Sequence, residues 1–114
     1  ANVLRTDYLR TLGIWERHLE PGRLLVLFHD DIASDPAGVL SRTCQFLEIA
    51  AHAFDGRHLR AAVNAGAVDA APGATAAVQA ELARRWLPMM EALEYRFGMR
   101  VRHWRLAAEA RARD

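Results

Sequence analysis

Apolar residues in the first twenty positions fall on one face at helical spacing. Leu4, Tyr8, Leu12, Trp15 and Leu19 line it, while Arg5, Asp7, Arg10 and Glu16 lie off it. The spacing predicts an amphipathic helix from about Asn2 to Leu19. Pro21-Gly22 should end it, because proline cannot extend the hydrogen-bond ladder and glycine turns freely. The pattern then changes. Leu24 to Phe28 is an unbroken apolar run, too short for a helix and without alternation. Such a run predicts a strand buried on both faces, as in a parallel sheet. It stops on His29-Asp30-Asp31, and Asp35-Pro36 follows. Asp35 suits an N-cap and Pro36 the first helical position, so a second helix is expected, with Val39, Leu40, Thr43, Cys44, Phe46 and Leu47 on its apolar side.

Beyond Ile49 the periodicity fades. Residues 50–75 are rich in Ala and Gly and read as a loop, with one helical turn near His58-Leu59. A connection this long is usually functional or disordered. Leu82, Trp86, Met89, Leu93 and Phe97 predict a last helix from about Ala76 to Phe97, with Pro88 inside it and Gly98 at its end. Residues 99–114 read as a basic tail of low complexity around Trp104. One strand buried on both faces needs neighbours that this chain does not offer. The pattern therefore describes a single partial domain, residues 1–114, of a larger α/β layer architecture.

Charge narrows the chemistry. Fifteen basic residues, all Arg, stand against fourteen acidic ones. That balance gives no general affinity for nucleic acid or membrane. The chain has no Lys, so it supplies no phosphate-loop lysine. Cys44 is the only cysteine and has no internal partner, which points to a reducing, cytoplasmic setting. No apolar stretch reaches the ~20 residues of a membrane span, and the N-terminus carries no signal-peptide pattern.

The order of parts resembles the C-terminal third to half of PAPS-dependent sulfotransferases, above all their bacterial and Golgi-type branch. The matching pieces are "YLRTLGIWERHLEPGRLLVL", "FHDDIASDP", "GVLSRTCQFLEI", "LRAAVNAG", "LARRWLPMMEALEYRFG" and the closing "RHW". Where that family has Tyr-Glu-Asp-Leu, this chain has His29-Asp30-Asp31-Ile32. Asp35-Pro36 stands for Asp-Pro, and Phe46-Leu47-Glu48 for Phe-Leu-Gly. The resemblance covers about Tyr8 to Trp104. It implies one buried strand in a mostly helical segment of a three-layer α/β/α, P-loop-like fold. It also implies transfer of a sulfuryl group from PAPS (3'-phosphoadenosine 5'-phosphosulfate) to a hydroxyl or amine acceptor, with no metal.

That chemistry needs an anion cradle, a base for the acceptor and cationic help at the bridging oxygen. The resemblance places the cradle upstream, and no Gly-x-x-x-x-Gly-Lys or Ser-Gly-Thr-Thr run occurs in this chain. The chain alone is therefore expected to be inactive and to contain no catalytic residue. Two residues are implied beside the nucleotide: His29, at the family's tyrosine, and Asn64, in a Val63-Asn64 pair that the family places near the cofactor. Each also has a plainer reading, His29 and Asp30 as a solvated strand end and Asn64 as a turn residue. Asp31 and Asp35 read as turn and cap residues. Nothing has His-x-x-x-His or Cys-x-x-Cys spacing, so no metal site is expected. The alternative function is a stand-alone helical module that binds a protein partner without catalysis. A packing partner or dimer is expected where the missing half of the domain would sit, because apolar surface would be exposed there.

Overall fold

The computed structural model describes residues 5–50, 55–61 and 73–113. Six helices are described: α1 Tyr8–His18, α2 His29–Ser34, α3 Pro36–Phe46, α4 Gly56–Arg60, α5 Ala76–Phe97 and α6 Arg102–Ala112. A short 3-10 turn, Gly98–Arg100, joins the last two. The chain divides into two compact units, residues 19–67 and residues 1–18 with 68–114.

The expected α/β class is not what forms. Among the described residues there is no strand. The Leu24–Phe28 run is extended where it meets α2, with Phe28 at φ −106° and ψ 134°. It lies without a ladder. Leu24, Leu25 and Val26 are only half-buried and Leu27 is exposed. The physical reason is that a strand is completed by partners distant in sequence. No second extended apolar run stands among the described residues to pair with it.

Within the 19–67 unit, local chemistry sets the boundaries. Gly22 takes φ 82° in the turn after Pro21, a conformation open to glycine. Asp35 caps α3 as expected. Its Oδ1 accepts from the Gly38 N–H at 3.0 Å, and Pro36 opens the helix. Gly38 leaves the room that the Asp35 carboxylate takes in this cap, since a Cβ there would sit 1.9 Å from its Oδ2. The far end of α3 closes in a Schellman motif: Ile49 N–H donates to the Cys44 carbonyl at 3.0 Å and Glu48 N–H to that of Gln45 at 3.1 Å. This puts Glu48 at φ 56°, the left-handed position where the resembled pattern carries glycine. Val39 and Cys44 are the buried side chains of α3. Asp55 caps α4 through the Arg57 N–H, so the single turn expected near His58 is present.

The other unit is built on an antiparallel hairpin of α5 and α6. Ala80, Ala83, Met89 and Leu93 of α5, Val101 at the turn and Ala108 of α6 are buried. Alanines at this seam let the two backbones approach, and full burial of a side chain such as Leu93 contributes roughly 1.5 to 3 kcal/mol. Gly98 ends α5 at φ 68°. Pro88 deprives the Arg84 carbonyl of its N–H partner, a cost of about 3 kcal/mol if nothing offsets it, yet α5 runs through it. Residues 102–112, read from composition as part of a basic tail, are the second arm of the hairpin. Glu94 binds Arg105 and lies 3.5 Å from Arg102, and Arg105 also reaches Glu109. At the other end Arg84 donates to the Ala112 carbonyl at 3.1 Å, satisfying one of the open acceptors that every helix leaves at its C-terminus. α1 is tied to α5 by the Glu16–Arg96 ion pair.

Candidate functional site

Chemistry-bearing residues gather at the elbow between the extended run and α3. His29, Asp30 and Asp31 form the first turn of α2. Two carboxylates there complement the partial positive charge of a helix N-terminus. This explains locally why an apolar run ends in acids: the chain turns straight into a helix whose free N–H end favours them. His29 and Asp30 are exposed, while Asp31 is half-buried. The Ser34 hydroxyl donates back to the Asp30 carbonyl at 3.1 Å.

Asp31 does more than end a turn. Its Oδ2 accepts from Arg42 Nη2 at 3.3 Å, joining α2 to the middle of α3. Arg42 Nε is buried with no hydrogen-bond partner among the described residues. Spacing alone marks Asp31 as a turn residue and passes over Arg42. One signal for it is present, because Arg42 is the only basic residue other than histidine between Arg23 and Arg57. A guanidinium that is partly buried wants a carboxylate nearby, and Asp31, Asp35 and Glu48 are the acids within eleven positions of it.

The electrostatics of the elbow are those of a closed joint. The N-terminus of α3, which would otherwise attract a phosphate, is occupied by Asp35 from the same chain. Arg42 is engaged by Asp31. Asp31 and Asp35 are thus both committed within the joint, one to Arg42 and the other to the start of α3. His29 stands exposed at the first position of α2. Asn64, the other residue implied beside a nucleotide, lies outside the described residues, as do Val63 and His52. His58 pairs with Asp55 at 3.3 Å on α4. Among the described residues no group of three or more His, Cys, Asp or Glu side chains is placed to hold a metal ion. No helix among them is long and apolar enough to cross a membrane.

Against known proteins, the family model Sulfotransferase domain matches residues 1–64. That is more than half of the chain, and it includes the extended run, the elbow, α3 and α4. No curated protein and no solved structure matches.

Proposed function

Since this chain belongs to the sulfotransferase domain family, we propose that it serves sulfuryl transfer from PAPS to a hydroxyl or amine acceptor and forms a border of the donor site. The observation that carries this reading is the family match over residues 1–64, which spans the His29 elbow and ends on Asn64. In such a transfer the acceptor oxygen or nitrogen attacks sulfur and the bond from sulfur to the bridging phosphate oxygen breaks. The acceptor's proton passes to a base, and 3',5'-ADP leaves. Charge develops on the bridging oxygen, so the step needs fixed cations and N–H donors there.

This chain supplies neither a lysine nor a phosphate loop, and its one capped helix start at the elbow is filled by Asp35. Its part is accordingly contact rather than catalysis. The exposed imidazole of His29 and the amide of Asn64 hydrogen-bond the nucleotide, with the phosphate cradle supplied from outside these 114 residues. The Asp31–Arg42 pair holds the joint that aims His29.

Two measurements test the proposal. The purified 114-residue chain, incubated with radiolabelled PAPS and a panel of phenols, sugars and amines, is expected to transfer no sulfate. Robust transfer by it would put the reacting centre inside this chain. In the complete enzyme, Asn64→Ala should weaken 3',5'-ADP binding by about 1 to 2 kcal/mol, the scale of one hydrogen bond removed and only partly replaced by water. His29→Phe should weaken it as well. Calorimetry that finds both variants binding like the parent removes these residues from the site.

A further inference from the structure

The hairpin of α5 and α6 lies outside the residues that the family model matches, and it carries a groove of its own. One stripe of α5 (with Leu82, Trp86 and Gln79) and one of α6 (with His103, Trp104 and Arg111) border this open groove of about 540 Å³. That is within the range of roughly 300 to 1,000 Å³ that holds a small organic molecule. Its walls are mainly apolar. Two indoles stand in it, Trp86 with the Arg85 guanidinium 6.0 Å from its ring centre and Trp104 edge-on to His103 at 5.7 Å. Leu82, on its lip, is half exposed.

The charge around this groove is sorted. The two helices carry four glutamates, Glu81, Glu91, Glu94 and Glu109, and none of them lines it. The lining residues that can ionise are Arg111, a permanent cation, and His103. Three of the glutamates are held by arginines elsewhere: Glu81 by Arg84, Glu94 by Arg105, and Glu109 by Arg105. An apolar cleft with aromatic walls, a guanidinium in its lining and no carboxylate among its described lining residues selects by charge as well as by shape.

We propose that the α5–α6 groove binds a flat aromatic anion, an arene bearing a sulfonate, sulfate or carboxylate group, with the ring between Leu82, Trp86 and Trp104 and the anion on Arg111, the Gln79 amide being engaged with the Ala74 carbonyl at 2.9 Å. The site is independent of the sulfuryl-transfer reading, because its residues and those of the elbow do not overlap.

The test uses the 114-residue chain, with naphthalene-2-sulfonate as the probe and uncharged 2-naphthalenemethanol as its control. Isothermal titration should show the sulfonate binding at least about fivefold more tightly than the alcohol, the scale of one charge-assisted hydrogen bond. Arg111→Gln, at an exposed position, should remove that preference and leave the alcohol's affinity unchanged. Leu82→Glu should abolish binding of both, and Ala107→Glu provides the same block from the facing helix should the first variant lose its helical circular dichroism. Equal affinity for the two probes, no binding up to millimolar concentration, or an Arg111→Gln variant that keeps the preference overturns the proposal. So does a light-scattering dimer that breaks on Leu82→Glu, or an acidic amphipathic peptide that binds where naphthalene-2-sulfonate does not, since each assigns the groove to a protein surface.

Discussion

The elbow and the hairpin are both helical joints, but different forces make them. At the elbow, residues close in sequence do the work: Asp35 caps its own helix, Glu48 closes it, and Asp31 reaches eleven positions to Arg42. Only Val39 and Cys44 are buried on α3. The hairpin rests on residues further apart, with Leu93, Val101 and Ala108 buried together with α5 alanines and Glu94 bound across the turn to Arg105. Elements fixed by short-range hydrogen bonds tolerate solvent. Elements fixed by packing do not. The family match falls on the first kind and leaves the hairpin outside.

The sharpest way to break this contrast is a buried charge. Val101 is fully buried at 0% exposure, so Val101→Asp places an unpaired carboxylate in the hairpin seam. The expected loss is about 3 kcal/mol or more, read from urea unfolding followed by circular dichroism. The matched change in the extended run, Val26→Asp, should cost less than about 1 kcal/mol in this chain, because Val26 is half-buried and a surface-facing charge is cheap. Equal costs at the two positions would mean that the extended run is as well packed as the hairpin.

How far these joints are legible in the sequence follows the same division. Punctuation is readable: Pro21-Gly22, Asp35-Pro36, the turn at His58 and Gly98 each mark an observed boundary, because each acts through its own backbone or a neighbour within four residues. The conformation of the Leu24–Phe28 run is not, since an apolar run states only that burial is wanted, and among the described residues it forms no strand. α6 is hidden by its arginines. Val101, Trp104 and Ala108 recur at helical spacing, but the stripe is sparse, and long-range packing against α5 supplies the rest. At the elbow, sequence reasoning names Asp31 as a turn residue and passes over Arg42, because a motif names positions in sequence whereas Arg42 belongs to the elbow through an ion pair.

Two smaller changes probe the elbow itself. Asp35→Ala should cost about 1 kcal/mol, the usual worth of an N-cap. Gly38→Ala should cost a similar amount in the parent, by expelling the Asp35 carboxylate that occupies the space of its Cβ. In the Asp35→Ala background the same Gly38→Ala change should become neutral or stabilising by up to about 1 kcal/mol, since alanine is the better helix former. A sum of the two single costs in the double variant would show that the cap and the glycine are unrelated. Glu48→Gly should stabilise by about 0.5 to 1 kcal/mol, because glycine relieves the left-handed strain at φ 56° and gives back only part of it in chain entropy. A destabilised Glu48→Gly variant would mean that the Glu48 side chain makes an interaction worth more than that strain.

The smallest effect concerns α1, whose residues are all at least partly exposed and which is tied to α5 by Glu16 and Arg96. The Glu16 carboxyl is held below the usual glutamate value of 4.5, chiefly by the hydrogen bond from Arg96; burial opposes this, and the charge of Arg96 adds a smaller lowering. A carboxyl whose value is lower in the folded chain than in the unfolded one stabilises the fold above its unfolded value. It loses that contribution as pH falls through the folded one. The tether should therefore be intact at neutral pH and release in acid below about 4.5, before the hairpin, which has a buried apolar seam in addition to its ion pairs, gives way. Trp15 precedes Glu16 on α1 and is 53% exposed, so its indole N–H resonance reports the release directly. In the parent chain that resonance should shift between pH 5 and pH 3 (about the range set by a depressed carboxyl) while the resonances of Trp86 and Trp104 hold. Glu16→Gln should show the acid position of the Trp15 signal already at pH 7. A Trp15 resonance that moves only together with Trp86 and Trp104 would mean that α1 unfolds with the hairpin as one unit, and that the ion pair adds nothing of its own to where α1 sits.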